Sequence, residues 1–272
     1  MCSGYFRLKH LKEFIMKTSV LASEFLILLL VFGYTQAADA AGAKYDWTGF
    51  YAGLNAGLAI NNSGYNLQPT GSFAGEGNEN NPLITDSGNF NSTAFTGGGQ
   101  LGYNYQICNF VIGMETDFNY NGVNESKSVD RALDAPLSGG FIHSVNQKFD
   151  YFGTLRARVG FTPRDRWLVY GTGGLAYGHV NSNSNALFTF DGQSLDNYIG
   201  SSSNTRVGWT AGAGSEYAFY NNWSAKIEYN YIDLGSHSYT YDDSTQLFPG
   251  YTYTTNIKTR ENVVRFGINY KF

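Results

Sequence analysis

Cysteine, proline and charge are all scarce in this chain, and after the first few dozen residues no apolar run approaches the length of a membrane-spanning helix. Of two cysteines, Cys2 falls in what reads as a leader, so Cys108 is left without a partner for an internal disulfide. Proline contributes only 5 residues and charged side chains only 15%. The missing long apolar run excludes a helical membrane protein. The abundant residues are glycine (33), tyrosine (21) and phenylalanine (20), a composition of many strands joined by turns. It argues against a soluble α/β enzyme.

The N-terminus carries Arg7, Lys9, His10, Lys12 and Lys17 ahead of the apolar run FLILLLVF (Phe25–Phe32) and the small-residue stretch GYTQAADA. A basic region, a short apolar region and a small-residue cleavage site predict a secretory signal peptide over residues 1–37, with Met16 a more natural start than Met1 and cleavage after Ala37 favoured over Ala40. The run is too short for a span of about 20 residues. Residues 38–48 are then a short periplasmic segment and 49–272 the folded domain. The leader takes Arg7, Lys9, Lys12 and Lys17 against Glu13 and Glu24, so its loss moves the net charge by two, from −4 to −6. An acidic chain lacks the clustered Lys and Arg that nucleic acid requires.

Eight segments then alternate apolar and polar residues: Phe50–Ile60, Phe95–Gln106, Phe110–Tyr120, Gln147–Phe161, Trp167–His179, Thr205–Phe219, Trp223–Leu234 and Asn262–Phe272. Each has about the length of a tilted transmembrane strand. Their connections alternate too. Tight links fall near Ile107–Asn109, Thr162–Arg166 and Tyr220–Asn222, whereas Asn61–Ala94, Asn121–Asn146, Val180–Asn204 and Gly235–Glu261 are long and rich in Asn, Ser, Gly and Asp. Short turns on one rim and long loops on the other predict an all-β fold, an eight-stranded antiparallel transmembrane β-barrel with short periplasmic turns and four long extracellular loops. A closed barrel must pair its last strand with its first, and NVVRFGINYKF is that last strand.

The polar faces hold Glu115, Asp117, Arg156, Arg158, Arg206, Glu216, Glu228 and Arg265. Eight strands enclose a lumen that side chains can fill, and buried charges must pair, so these four cations and four anions are expected to form a lumen network. Trp47, Trp167 and Trp223 stand at strand starts, where a periplasmic aromatic girdle is expected. Cys108 belongs to a tight turn. The glycines at 97–99, 102, 171, 173 and 174 suit close strand packing and curvature.

The segments DWTGFYAGLNAGLA, GGGQLGYNYQ, GMETDFNYNG and VVRFGINYKF resemble those of the small outer-membrane barrels of alphaproteobacteria, the opacity-protein and OmpA-like barrel group of porin-family surface antigens. The likeness covers residues 46–272 and is strongest in the strands. It implies an outer-membrane location in a Gram-negative envelope, and partners that include outer-membrane lipid, lipopolysaccharide and the barrel assembly machinery. Phe272 matches the terminal aromatic of the family's assembly signal. Family members act as surface antigens that meet host molecules, and some bind haemin. That prompts His143, His179, His237, Tyr239, Tyr241, Tyr251 and Tyr253 as candidate haemin residues, since His and Tyr are axial haem ligands. The alternative for the tyrosines is a β-ribbon standing above the membrane.

Other chemistry is weakly supported. Asp242 and Asp243 beside Asp191 or Glu76 have no calcium-loop spacing, and no metal site is expected. In Ser236-His237-Ser238 neither serine shares a face with the histidine of an extended chain, which argues against a nucleophile and its base. No cofactor is expected beyond haem as a bound ligand. The reading is a non-enzymatic surface barrel serving envelope integrity and host contact, with a narrow-pore porin as the alternative.

Overall fold

In a computed structural model of the protein, the described residues are 45–75, 81, 84–133, 139–190, 193–242 and 249–272. The expected leader, Glu76, Glu79, Asp191 and Asp243 lie outside them. In chain order the elements are β1 (Gly49–Asn61), β2 (Gly64–Gly71), the single turn α1 (Ser72–Gly75), β3 (Asp86–Asn89), β4 (Ser92–Ile107), β5 (Phe110–Leu133), β6 (Gly139–Arg164), β7 (Trp167–Phe190), β8 (Gln193–Tyr220), β9 (Trp223–Asp242) and β10 (Tyr251–Lys271).

All eight predicted strands form. They bond in the order β1-β4-β5-β6-β7-β8-β9-β10, and β10 returns to β1 through pairs running from Tyr51↔Lys271 to Asn61↔Glu261. Every neighbouring pair is antiparallel. The fold is an eight-stranded antiparallel β-barrel, closed because an open edge in hydrocarbon would leave backbone groups unbonded.

Period-2 alternation separates its two faces. On β10, Phe266, Ile268 and Tyr270 are 63%, 51% and 38% exposed, while the intervening Asn269 and Arg265 are each 1% exposed. Leu54, Leu101, Met114, Val159, Leu175 and Val207 are exposed in the same way on the other strands. A continuous apolar band of this kind belongs in lipid. Aromatic pairs mark its two rims: Phe50 with Tyr103, Phe110 with Phe161 and Trp223 with Tyr270 near the tight turns, and Phe118 with Tyr151 and Trp209 with Tyr231 at the far rim.

Two local features differ from expectation. Trp47 is not in the girdle. It is 3% exposed and packs with Tyr45 inside the periplasmic mouth against Val111, Leu168, Tyr170 and Ala218, because its backbone N–H donates to Gln106 and draws residues 45–48 inward. Second, most of the polar stretches are strand. β5 and β6 stay paired out to Leu133↔Gly139, and β7 and β8 out to Phe190↔Gln193. Above the lipid band the outer face meets water, so Asn and Ser replace Leu and Phe and the composition imitates a loop. Inward positions keep the strand signal, as in Phe141, His143 and Val145, all buried. The first long stretch supplies β2 and β3, which extend the sheet beyond β1 by pairing β2 on β10 and β3 on β2.

Cys108 occupies the β4–β5 turn with φ of 56° and is exposed. Left-handed backbone there costs a non-glycine residue energy.

Candidate functional site

The interior is filled in layers. Above the Tyr45–Trp47 plug lies the charge network. Arg156 on β6 donates to Glu115 (2.5 Å), Asp117 (3.0 Å) and Glu228 (2.9 Å). Arg265 on β10 reaches Asp117 and Glu228, each at 2.7 Å. Arg158 pairs with Glu216 and stacks its guanidinium over the Tyr170 ring, 3.6 Å from the centroid. Two tyrosine hydroxyls complete the carboxylate bonding, Tyr51 donating to Glu115 (2.8 Å) and Tyr170 to Glu228 (3.0 Å). Glu216 also accepts from Ser224 and from Asn269.

Seven of the eight expected residues meet here. Arg206 does not. It has the inward parity but stands higher, where β8 pairs it with Gly178, and its one hydrogen bond among the described residues goes to Thr259 Oγ1 at 3.1 Å. The fourth cation is Lys226, whose Nζ donates to both oxygens of Glu115 at 2.9 Å. Charge balance therefore survives the exchange of one residue for another. Lys226 was legible in the order Lys226-Ile227-Glu228, because it shares a face with Glu228.

Next comes an apolar layer of Ala59, Val123, Phe149, Phe152, Ala176, Val180, Ile232, Leu234 and Val263, all buried. A polar layer follows, in which Asn61 donates to Gln147, Gln147 to Thr259 and Arg206 to Thr259, while Asn121 donates to both oxygens of buried Glu261 at 2.8 Å. Two aromatic clusters close the extracellular half: Tyr65, Phe90, Val145 and Ile257 below, Leu67, Phe141, Ala186, Tyr198, Tyr241 and Tyr253 above.

The candidate haemin residues fall in separate places. His143 and Tyr253 are 0% exposed and Tyr241 is 7% exposed. Tyr239 and Tyr241 are on one strand of the β9–β10 ribbon, and Tyr241 faces Tyr253 across it. Tyr251 is half-buried near the ribbon's tip. His179 stacks on Tyr151 at the rim of the lipid band, ring centroids 5.4 Å apart. His237 is half-buried, and its imidazole is held below its ordinary pKa by burial and then by the Arg206 charge. Phe272 is exposed, edge-on to Tyr270, with its N–H on the Phe50 carbonyl.

One array escaped the sequence reading. His143 Nδ1 lies 2.7 Å from Asp86 Oδ2, and His143 Nε2 lies 2.9 Å from Ser184 Oγ. Against an ionised carboxylate, which can only accept, Nδ1 carries the proton and donates. Burial alone would raise the Asp86 carboxyl. The hydrogen bond and charge of His143, then Tyr65 and Arg131, outweigh it and hold the carboxyl below its ordinary value. Ser184 is bonded further, to Tyr241 (2.8 Å) and Thr255 (3.3 Å). These three residues come from β3, β6 and β7, so only the closed sheet brings them together.

A lipid-facing band around a filled interior defines an outer-membrane β-barrel protein. Residues 25–272 match the family model for the outer membrane protein beta-barrel domain, and the chain belongs to that family. It is similar to the 31 kDa outer-membrane immunogenic protein of Brucella melitensis, 41% identical over 229 residues covering 84% of this chain and 85% of that one. It is also similar to the 22 kDa outer membrane protein of Rhizobium leguminosarum, 34% identical over 177 residues, 64% and 66% of the two chains. Among solved structures, OprG of Pseudomonas aeruginosa aligns over 85% of this chain and 100% of its own, at 10% identity and a TM-score of 0.43. The family is that of the small alphaproteobacterial outer-membrane barrels, and the protein resides in the outer membrane.

Proposed function

We propose that the protein is a closed, non-enzymatic surface barrel that stiffens the envelope and presents its extracellular sheet to the surroundings, host surfaces included. The observation that carries this is the layered interior, in which ion pairs and apolar clusters alternate from the Trp47 plug to the Tyr253 cluster. Among the described residues, side chains fill the lumen from layer to layer, which disfavours the narrow-pore porin. The family resemblance of the outward terminal aromatic supports Phe272 as the contact for the assembly machinery, and the relatives' naming as immunogenic supports surface display.

The acid–imidazole–hydroxyl array does not overturn the non-enzymatic reading. Ser184 is 2% exposed and His143 0%, and the serine hydroxyl is already bonded to two other hydroxyl side chains. A nucleophile needs a substrate beside it, and this one is walled in.

Haemin capture is the narrower form of the reading. It rests on His237 with Tyr239 or Tyr251, because His143, Tyr241 and Tyr253 hold the aromatic core together. Display is tested with a single cysteine at Ser128 or Asn183, both exposed, in a Cys108→Ser background. Labelling of intact cells by a membrane-impermeant maleimide supports the reading, and labelling only after lysis refutes it. A haemin titration of the refolded barrel, followed at the Soret band, tests capture: a saturable shift lost in His237→Ala supports it, and the absence of any shift removes it.

A further inference from the structure

Arg206 is 7% exposed, yet its Nε and Nη2 have no hydrogen-bond partner among the described residues, and no carboxylate there lies within ion-pair distance. Its single bond, to Thr259, is to a hydroxyl. A guanidinium cannot shed its proton, and an unpaired buried cation is strongly unfavourable. The neighbouring acids are committed elsewhere: Asp233 accepts from Arg260 at 3.0 Å and from the Gly235 N–H, and Glu261 accepts from Asn121. The other nearby groups, His237 and Tyr239, carry no fixed negative charge.

The barrel wall is interrupted beside this residue. β8 and β9 pair only from Tyr220↔Trp223 up to Trp209↔Asp233, although β8 continues on β7 and β9 on β10 far above that level. Gly235, at φ +73°, bends β9 where the pairing stops, and β10 shifts register between Lys258 and Arg260. Higher up, the seam is covered again, with the Tyr241 ring lying over Gly200 of β8. Between these two closures the flanking residues Ser203, Asn204, Thr205, Ser236 and Ser238 are exposed. Just below the opening, Val207 and Trp209 face the lipid.

We propose that the β8–β9 opening is a binding site for an anionic group of phosphate type, held by the Nε–Nη2 edge of Arg206. The planar fork suits two oxygens of one phosphate, and Thr259 fixes the guanidinium from its other side. His237 and the exposed serines supply further donors at the mouth. Because the opening sits at the outer edge of the lipid band, the phosphate comes either from a lipid headgroup entering laterally or from free solute entering from outside.

The test is urea unfolding of the refolded barrel in zwitterionic detergent, followed by tryptophan fluorescence, with increasing inorganic phosphate or with micelles doped with phosphatidic acid. Arg206→Gln and Arg206→Lys are measured alongside. The site predicts a saturable rise in the wild-type midpoint and an apparent affinity about tenfold or more weaker in R206Q, the loss of one charge-assisted bonded pair, with R206K between. Without added anion, R206Q should be at least as stable as wild type, since it removes an uncompensated charge. A rise with inorganic phosphate identifies a solute site, and a rise with phosphatidic acid alone a lipid site. No rise with either, or an equal rise in R206Q, overturns the proposal.

Discussion

Lys226 holds both carboxylate oxygens of Glu115 at 2.9 Å, across 111 residues of sequence and the full width of the lumen. Glu115 carries Arg156 and Tyr51 as well, so removing Lys226 leaves a shared, buried carboxylate short of charge compensation. Lys226→Met is expected to destabilise the barrel by about 3–5 kcal/mol, the cost of orphaning one partner of a buried pair. Arg156→Ala should cost at least as much, because it takes one shared cation from three buried acids at once. Urea midpoints in detergent check both, and unchanged midpoints would mean that the lumen is hydrated.

Two glycines seat the tyrosines that complete this network. A Cβ on Gly102 would lie 2.3 Å from the Tyr51 ring, and one on Gly214 2.5 Å from the Tyr170 hydroxyl. Gly214→Ala must displace Tyr170 from Glu228 and from the Arg158 guanidinium. A loss of about 1–3 kcal/mol is expected, and Gly214→Ala combined with Tyr170→Phe should lose less than the sum of the two, because they break the same bond.

The Asp86–His143–Ser184 chain is expected to be structural. Ser184→Ala leaves His143 and Tyr241 each short of a partner and should cost about 1–3 kcal/mol. Wild type and S184A should be equally inert towards ester substrates, measured with a chromogenic acyl ester. Turnover in wild type that S184A abolishes would refute the non-enzymatic reading.

The depressed Asp86 carboxyl carries a pH dependence. Its folded pKa lies below the ordinary 3.8, so its contribution is complete well above pH 3.8 and fades as pH falls through the folded value. The extracellular sheet should therefore loosen in acid, and Asp86→Asn should flatten that part of the profile. Amide exchange on β3 and β6 between pH 5 and pH 2.5 measures it.

Much of this was legible in the residues. Alternation located all eight strands, because a barrel in lipid must be apolar on every second residue, and inward parity found Glu115, Asp117, Arg156, Arg158, Glu216, Glu228 and Arg265. Parity says nothing about height, which is why Arg206 was grouped with charges several residues below it while Lys226 was passed over. The extracellular half was hidden for a different reason. Its outer face is wet, so residues such as Asn146, Asn183 and Ser203 read as loop, and only the inward series Phe141, His143, Val145 betrays the strand. The Asp86–His143–Ser184 chain joins three distant segments and has no local signature.

The central claim is that the barrel is filled, and ion conduction through single refolded barrels in planar bilayers tests it most directly. The filled interior predicts a flat current trace for wild type at moderate voltage. Stable, reproducible single-channel steps from wild type would contradict it and restore the narrow-pore porin.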